Sequence, residues 1–154
     1  MSKTVMTQTM CVKTFVDRSL PRWSGRLGVL ASATVLAFVV TAAEVDVRKL
    51  PSASDKKVDF GKEIKPILEK SCFKCHGPEK QKGKLRLDSR EAALKGGEDG
   101  EVIIPGNSAK SVLIHNVSRL NEDSAMPPEG KGDPLTKEQV GLLRAWIDQG
   151  AKWE

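Results

Sequence analysis

The sequence predicts a small all-α domain of about four short helices. Three observations point there. Apolar residues recur at helical spacing behind residues that cap helix starts. No stretch of convincing length alternates apolar and polar residues as a half-buried strand would. The pentapeptide Cys72-Phe73-Lys74-Cys75-His76 closes the first predicted helix and gives the others something to pack around. Its C-x-x-C-H pattern is that of covalent c-type haem attachment. Two thiols three positions apart reach the two vinyl groups of one porphyrin, and the adjacent imidazole is held where it can ligate iron as the proximal ligand. The fold class is therefore all-α, about four short helices around one covalently bound haem.

Residues 1–43 read as an export signal. Lys3, Lys13, Arg18, Arg22 and Arg26 stand against Asp17 alone, an apolar run extends from Leu27 to Val40, and Thr41-Ala42-Ala43 suits a signal peptidase. The uncharged stretch from 27 to 43 has 17 residues with Gly, Ser and Thr. A spanning helix wants ~20 strongly apolar ones, so cleavage is expected, with retention of 27–43 as a membrane tether the alternative. Export places the chain in the periplasm or another extracytoplasmic compartment, where C-x-x-C-H chemistry takes place. Of the net charge of +5, four units lie in this presequence. The remainder is close to neutral and shows no basic block, which gives no ground for nucleic-acid binding.

Residues 44–58 are polar, with Pro, Ser and Lys, and read as a flexible linker. The domain is expected over 59–154. Phe60, Ile64, Ile67 and Leu68 share one helical face, and Pro66 requires a helix start or a kink. Gly77-Pro78 turns the chain away. Leu85 and Leu87 alternate around Arg86, so two leucines can line a haem face while the arginine points elsewhere. Ser89 caps a helix over 90–95 ended by Gly96-Gly97. Ser108 is expected to cap a helix over about 109–118 with Val112, Leu113 and Val117 inward. Thr136 and Gln139 form a capping box that opens a helix over 137–149, with Val140, Leu143, Trp146 and Ile147 inward.

Only Cys72 and Cys75 remain after the presequence takes Cys11. A lone pair three apart closes no long loop and is no disulfide scaffold. A structural zinc site would need both cysteines, His76 and His115 without the usual second ligand pair. A thioredoxin-like dithiol needs a βαβ context that the sequence lacks. For the sixth iron position the candidates are His115, Met126 or nothing. Met126 is an isolated apolar residue in the polar loop 121–133, and Pro127-Pro128 stiffen the loop behind it. Gap-filling is the usual role of Met, but a gap-filler belongs on a helix or strand face. Trp146 reads as core whose N–H could reach a haem propionate, as could Arg86, Arg90 or Arg144.

Several spaced motifs carry a family resemblance. These are Phe60-x-x-x-Ile64-x-Pro66-Ile67-Leu68-x-x-x-Cys72-x-x-Cys75-His76-Gly77-Pro78, then Gly83-x-Leu85-Arg86-Leu87-Asp88, Ile104-Pro105-Gly106, Met126-Pro127-Pro128, and the closing Leu135-Thr136 with Leu143-x-x-Trp146-Ile147-x-x-Gly150-Ala151-x-Trp153. Over roughly 59–154 the chain resembles the planctomycete-type cytochrome c domain. The resemblance implies a helical cytochrome c fold and haem c, with Cys72 and Cys75 as thioether sites and His76 as proximal iron ligand. It also suggests Met126 as distal iron ligand. The expected function is that of a mono-haem electron carrier, not an enzyme, exchanging electrons with redox partner proteins. The alternative is a haem enzyme or ligand sensor with an open sixth position, peroxidase-like in chemistry.

Overall fold

The structure, a computed structural model, describes residues 45–154; the presequence readings on 1–43 lie outside these residues. Five α-helices occur among the described residues: α1 (Lys65–Ser71), α2 (Phe73–His76), α3 (Arg90–Lys95), α4 (Val112–Val117) and α5 (Lys137–Asp148). Short 3-10 turns join them, and no strand forms among the described residues beyond the isolated bridges His76–Gln81 and Gly97–Gly100. The fold is thus all-α, as the periodicity predicts.

Pro66 is resolved as a kink of a particular kind. A π-helical turn, Phe60–Ile64, leads into α1, and Pro66 occupies the first turn of α1. Proline has no N–H to return to residue 62. The chain takes one extra residue into the turn instead, and the Lys65 N–H bonds the Phe60 carbonyl. Asp59 starts the turn by accepting the Lys62 N–H at 2.9 Å, and Glu63 reciprocates on the Asp59 N–H at 2.9 Å.

The core lies between this kinked helix and α5. Ile64, Ile67 and Leu68 on one side meet Val140, Leu143, Trp146 and Ile147 on the other, all buried. Burying each of the larger aliphatic side chains contributes roughly 1.5–3 kcal/mol. Phe60, Trp146 and Trp153 form a cluster with ring centroids 4.7–5.8 Å apart. The Trp146 N–H donates to the Lys152 carbonyl at 2.7 Å, so this tryptophan is core and its polar atom is already used. The Thr136/Gln139 capping box forms as expected, and Ser89 accepts the Ala92 N–H at the start of α3.

Three local expectations change; one is that Val112, expected inward with Leu113 and Val117, is exposed. Residues 109–118 are not one helix. Asn107, not Ser108, caps a 3-10 turn over Ser108–Lys110, and Ser111 sits in extended backbone before α4 begins. The cause is long-range polar pairing. Buried Ser108 donates from N and Oγ to the two Asp148 oxygens at 2.7 and 2.9 Å, while Ser111 Oγ accepts the Ile104 N–H at 2.9 Å.

The stretch expected as a flexible lead is seated on α5. Leu50 is buried, the Ser54 N–H bonds the Gly141 carbonyl at 3.0 Å, and Gln149 bonds the Val58 N–H and the Lys56 carbonyl. Arg144 donates to both Ser108 Oγ and the Pro51 carbonyl. Gly141 makes the crossing possible, because a Cβ there would lie 2.8 Å from the Ser52 carbonyl oxygen.

Candidate functional site

The pentapeptide folds because α1 hands it over at a break. Cys72 leaves α-helical geometry (φ −121°), its N–H still bonds the Leu68 carbonyl at 2.8 Å, and its own carbonyl then receives the Cys75 and His76 N–H groups at 3.0 and 2.8 Å. One turn of α2 therefore brackets both thiols and the imidazole. Gly77 must follow. Any Cβ there would sit 2.4 Å from the Phe73 carbonyl oxygen. The chain then doubles back, with the Gly77 N–H on the Lys80 carbonyl and the Leu87 N–H on the His76 carbonyl at 2.8 Å. This second bond ties Leu85-Arg86-Leu87 alongside the pentapeptide.

A cleft of about 310 Å³ opens here, and Cys72, Cys75, His76 and Met126 all line it. Its apolar walls come from Leu85, Leu87, Val102, Leu113, Val117 and Leu135. Met126 is half-buried, with its N–H on the Asn116 carbonyl at 3.0 Å and Pro127-Pro128 behind it on the same wall. The two leucines around Arg86 face the cleft, while Arg86 forms a two-bonded pair with Asp88 at 2.9 and 2.6 Å.

This arrangement fits a flat apolar macrocycle held by thioethers. Both sulfurs are unpaired cysteines, one imidazole stands beside them, and the remaining surface is mostly hydrocarbon. His76 Nδ1 is buried without a hydrogen-bond partner among the described residues. Burial pushes the Cys72 thiol up to about 12. That is the reverse of the lowered thiol value on which dithiol exchange relies, and no group of three or more metal-ligating side chains occurs among the described residues.

Other sequence candidates fall away from the cleft. His115 Nε2 lies 2.7 Å from the Ala109 carbonyl oxygen and is not on the lining. Arg86 and Arg144 are engaged elsewhere, and neither they nor Arg90 nor Trp146 lines the cleft. The cations that do are Lys70, Lys74, Lys82 and Lys131. Asn116, on the cleft wall in the last turn of α4, escaped sequence reasoning. The available signal was its position: it shares a helical face with Leu113 and Val117.

A family model described as Planctomycete cytochrome C matches residues 72–130. The match runs from Cys72 to four residues beyond Met126, so it takes in both thiols, His76, Met126 and most of the cleft lining. It agrees with the family that the spaced motifs resemble, and supports a haem-binding c-type cytochrome domain in this segment. No curated protein and no solved structure matches the chain.

Proposed function

We propose that this chain is an exported mono-haem c-type cytochrome that carries single electrons between redox partner proteins. The observation that carries the reading is the convergence of Cys72, Cys75, His76 and Met126 on one apolar-walled cleft. Haem bound there supplies a one-electron Fe(III)/Fe(II) couple. The chain's own residues do the rest. Cys72 and Cys75 would hold the group by thioethers, with His76 as its proximal and Met126 as its distal iron ligand. A soft thioether favours the reduced metal and raises the potential. Leu85, Leu87, Leu113 and Val117 exclude water from the couple, which limits the reorganisation that accompanies each transfer. The cleft opens to solvent, which would let a partner approach a group bound there.

Electron carriage is supported by the cleft lining, which includes the Met126 thioether along with Cys72, Cys75 and His76. The presequence composition supports export to the periplasm or an equivalent compartment. The near-neutral charge of the remaining chain gives no ground for proposing nucleic-acid binding. The test is the reduced protein under carbon monoxide. A six-coordinate His/Met site exchanges slowly; rapid, complete binding by untreated protein would replace this reading with an open-site enzyme or sensor.

A further inference from the structure

The cleft wall contributed by α4 contains one polar residue out of place. Leu113, Asn116 and Val117 follow one another at helical spacing on the same face and all line the cleft. The two neighbours are buried and apolar, and Asn116 is half-buried between them. Its side-chain amide has no hydrogen-bond partner among the described residues. The amide is not sealed from solvent, and standing on an otherwise apolar stretch of wall it is free to pair with a group inside the cleft.

Its backbone indicates which one. The last carbonyls of a helix have no partner within the helix. Asn116 lies in the last turn of α4, and its carbonyl accepts the Arg119 N–H at 3.2 Å and, from the loop ten residues on, the Met126 N–H at 3.0 Å. Pro127 and Pro128 have no N–H to offer, so this bond is the point at which α4 grips the loop. One residue thus meets Met126 through its main chain and presents an amide to the cleft that the Met126 side chain lines.

We infer that Asn116 is the positioning residue for Met126: its carbonyl fixes the loop, and its amide N–H donates to the thioether sulfur and holds it towards the metal. The inference rests on the reading of Met126 as distal ligand. Sulfur is a weak acceptor, so the amide steers and retains the ligand and is not itself a ligand. No bond is made or broken.

The test uses the haem-loaded protein and the variants Asn116→Ala and Asn116→Asp. Both keep the backbone carbonyl, and Asp keeps the side-chain shape while removing the N–H donors. The readouts are the sulfur-to-iron charge-transfer absorption of the ferric protein, the reduction potential, and the rate at which imidazole displaces the distal ligand. Loss of one hydrogen bond is expected to speed displacement about fivefold, with a shifted charge-transfer band and potential in both variants and unchanged helical circular dichroism. A merely structural asparagine would alter melting without moving the band. Should Ala unfold, Asp gives the same readings. Wild-type displacement, band and potential in the Asp variant overturn the inference. If the wild-type protein itself lacks the thioether band, the Met126 reading fails and the inference falls with it; the wild-type spectrum distinguishes the two failures.

Discussion

Replacing Gly141 by alanine sets two physical effects against each other. Gly141 lies inside α5, where alanine is favoured over glycine by about 1 kcal/mol. Helix propensity alone therefore predicts a more stable protein. Packing predicts the opposite. The new Cβ would stand 2.8 Å from the Ser52 carbonyl oxygen, a backbone atom that can yield only if the segment retreats. Retreat breaks the Ser54 N–H to Gly141 carbonyl bond and exposes Leu50. Those losses are worth about 1 kcal/mol for the hydrogen bond and about 2 kcal/mol for the leucine. The net is a loss of about 2 kcal/mol. For a domain near 100 residues that lowers the midpoint by roughly 8–16 °C. Thermal circular dichroism gives the midpoint, and hydrogen exchange at the Ser54 amide reports whether the segment has lifted. A midpoint that rises by several degrees with the Ser54 amide still protected would refute the close-approach reasoning.

Further predictions follow the same geometry. Gly77→Ala should cost roughly 1–3 kcal/mol by overpacking against the Phe73 carbonyl and lower the yield of haem-loaded protein, read by urea titration and Soret absorbance; wild-type values for both would contradict the turn described. Met126→Ala should lower the reduction potential and admit carbon monoxide rapidly, and an unchanged potential would remove Met126 from the metal. The Asp88 carboxyl is held below the usual carboxylate range, chiefly by its hydrogen bonds with Arg86. A depressed value contributes stability above the ordinary carboxylate range and loses it as pH falls through the folded-state value. Arg86→Gln should therefore move acid unfolding to higher pH, by a modest amount because the pair is only partly shielded, and superimposable acid titrations would deny the pair a role.

The parts legible in the sequence are those whose determinants are neighbours in the chain. The thiols and imidazole of the pentapeptide, the capping box at Thr136 and Gln139, the Ser89 cap, and the inward alternation of Leu85 and Leu87 all rest on spacings of two to four residues. What was not legible depends on polar groups pairing across the fold. Ser108 looks like a helix cap until Asp148, 40 residues on, claims both its donors. Arg144 looks free for a propionate until the Pro51 carbonyl and Ser108 occupy it. His115 turns to a carbonyl six residues back. The docked segment at 50–58 has a polar composition that says linker, yet α5 carried the signal. A glycine in a helix interior costs stability, and Gly141 is repaid by a backbone crossing at that point.

Every role proposed for the cleft depends on Cys72-Phe73-Lys74-Cys75-His76 holding one haem covalently. The most direct measurement is the alkaline pyridine haemochrome spectrum of chain produced with haem-maturation machinery, recorded after acid–acetone extraction and normalised to protein. One c-type haem per chain is expected to resist extraction in the wild type and to be lost from the double variant Cys72→Ala, Cys75→Ala. A wild-type chain that yields no c-type spectrum, or gives up all its haem to the solvent, would contradict it.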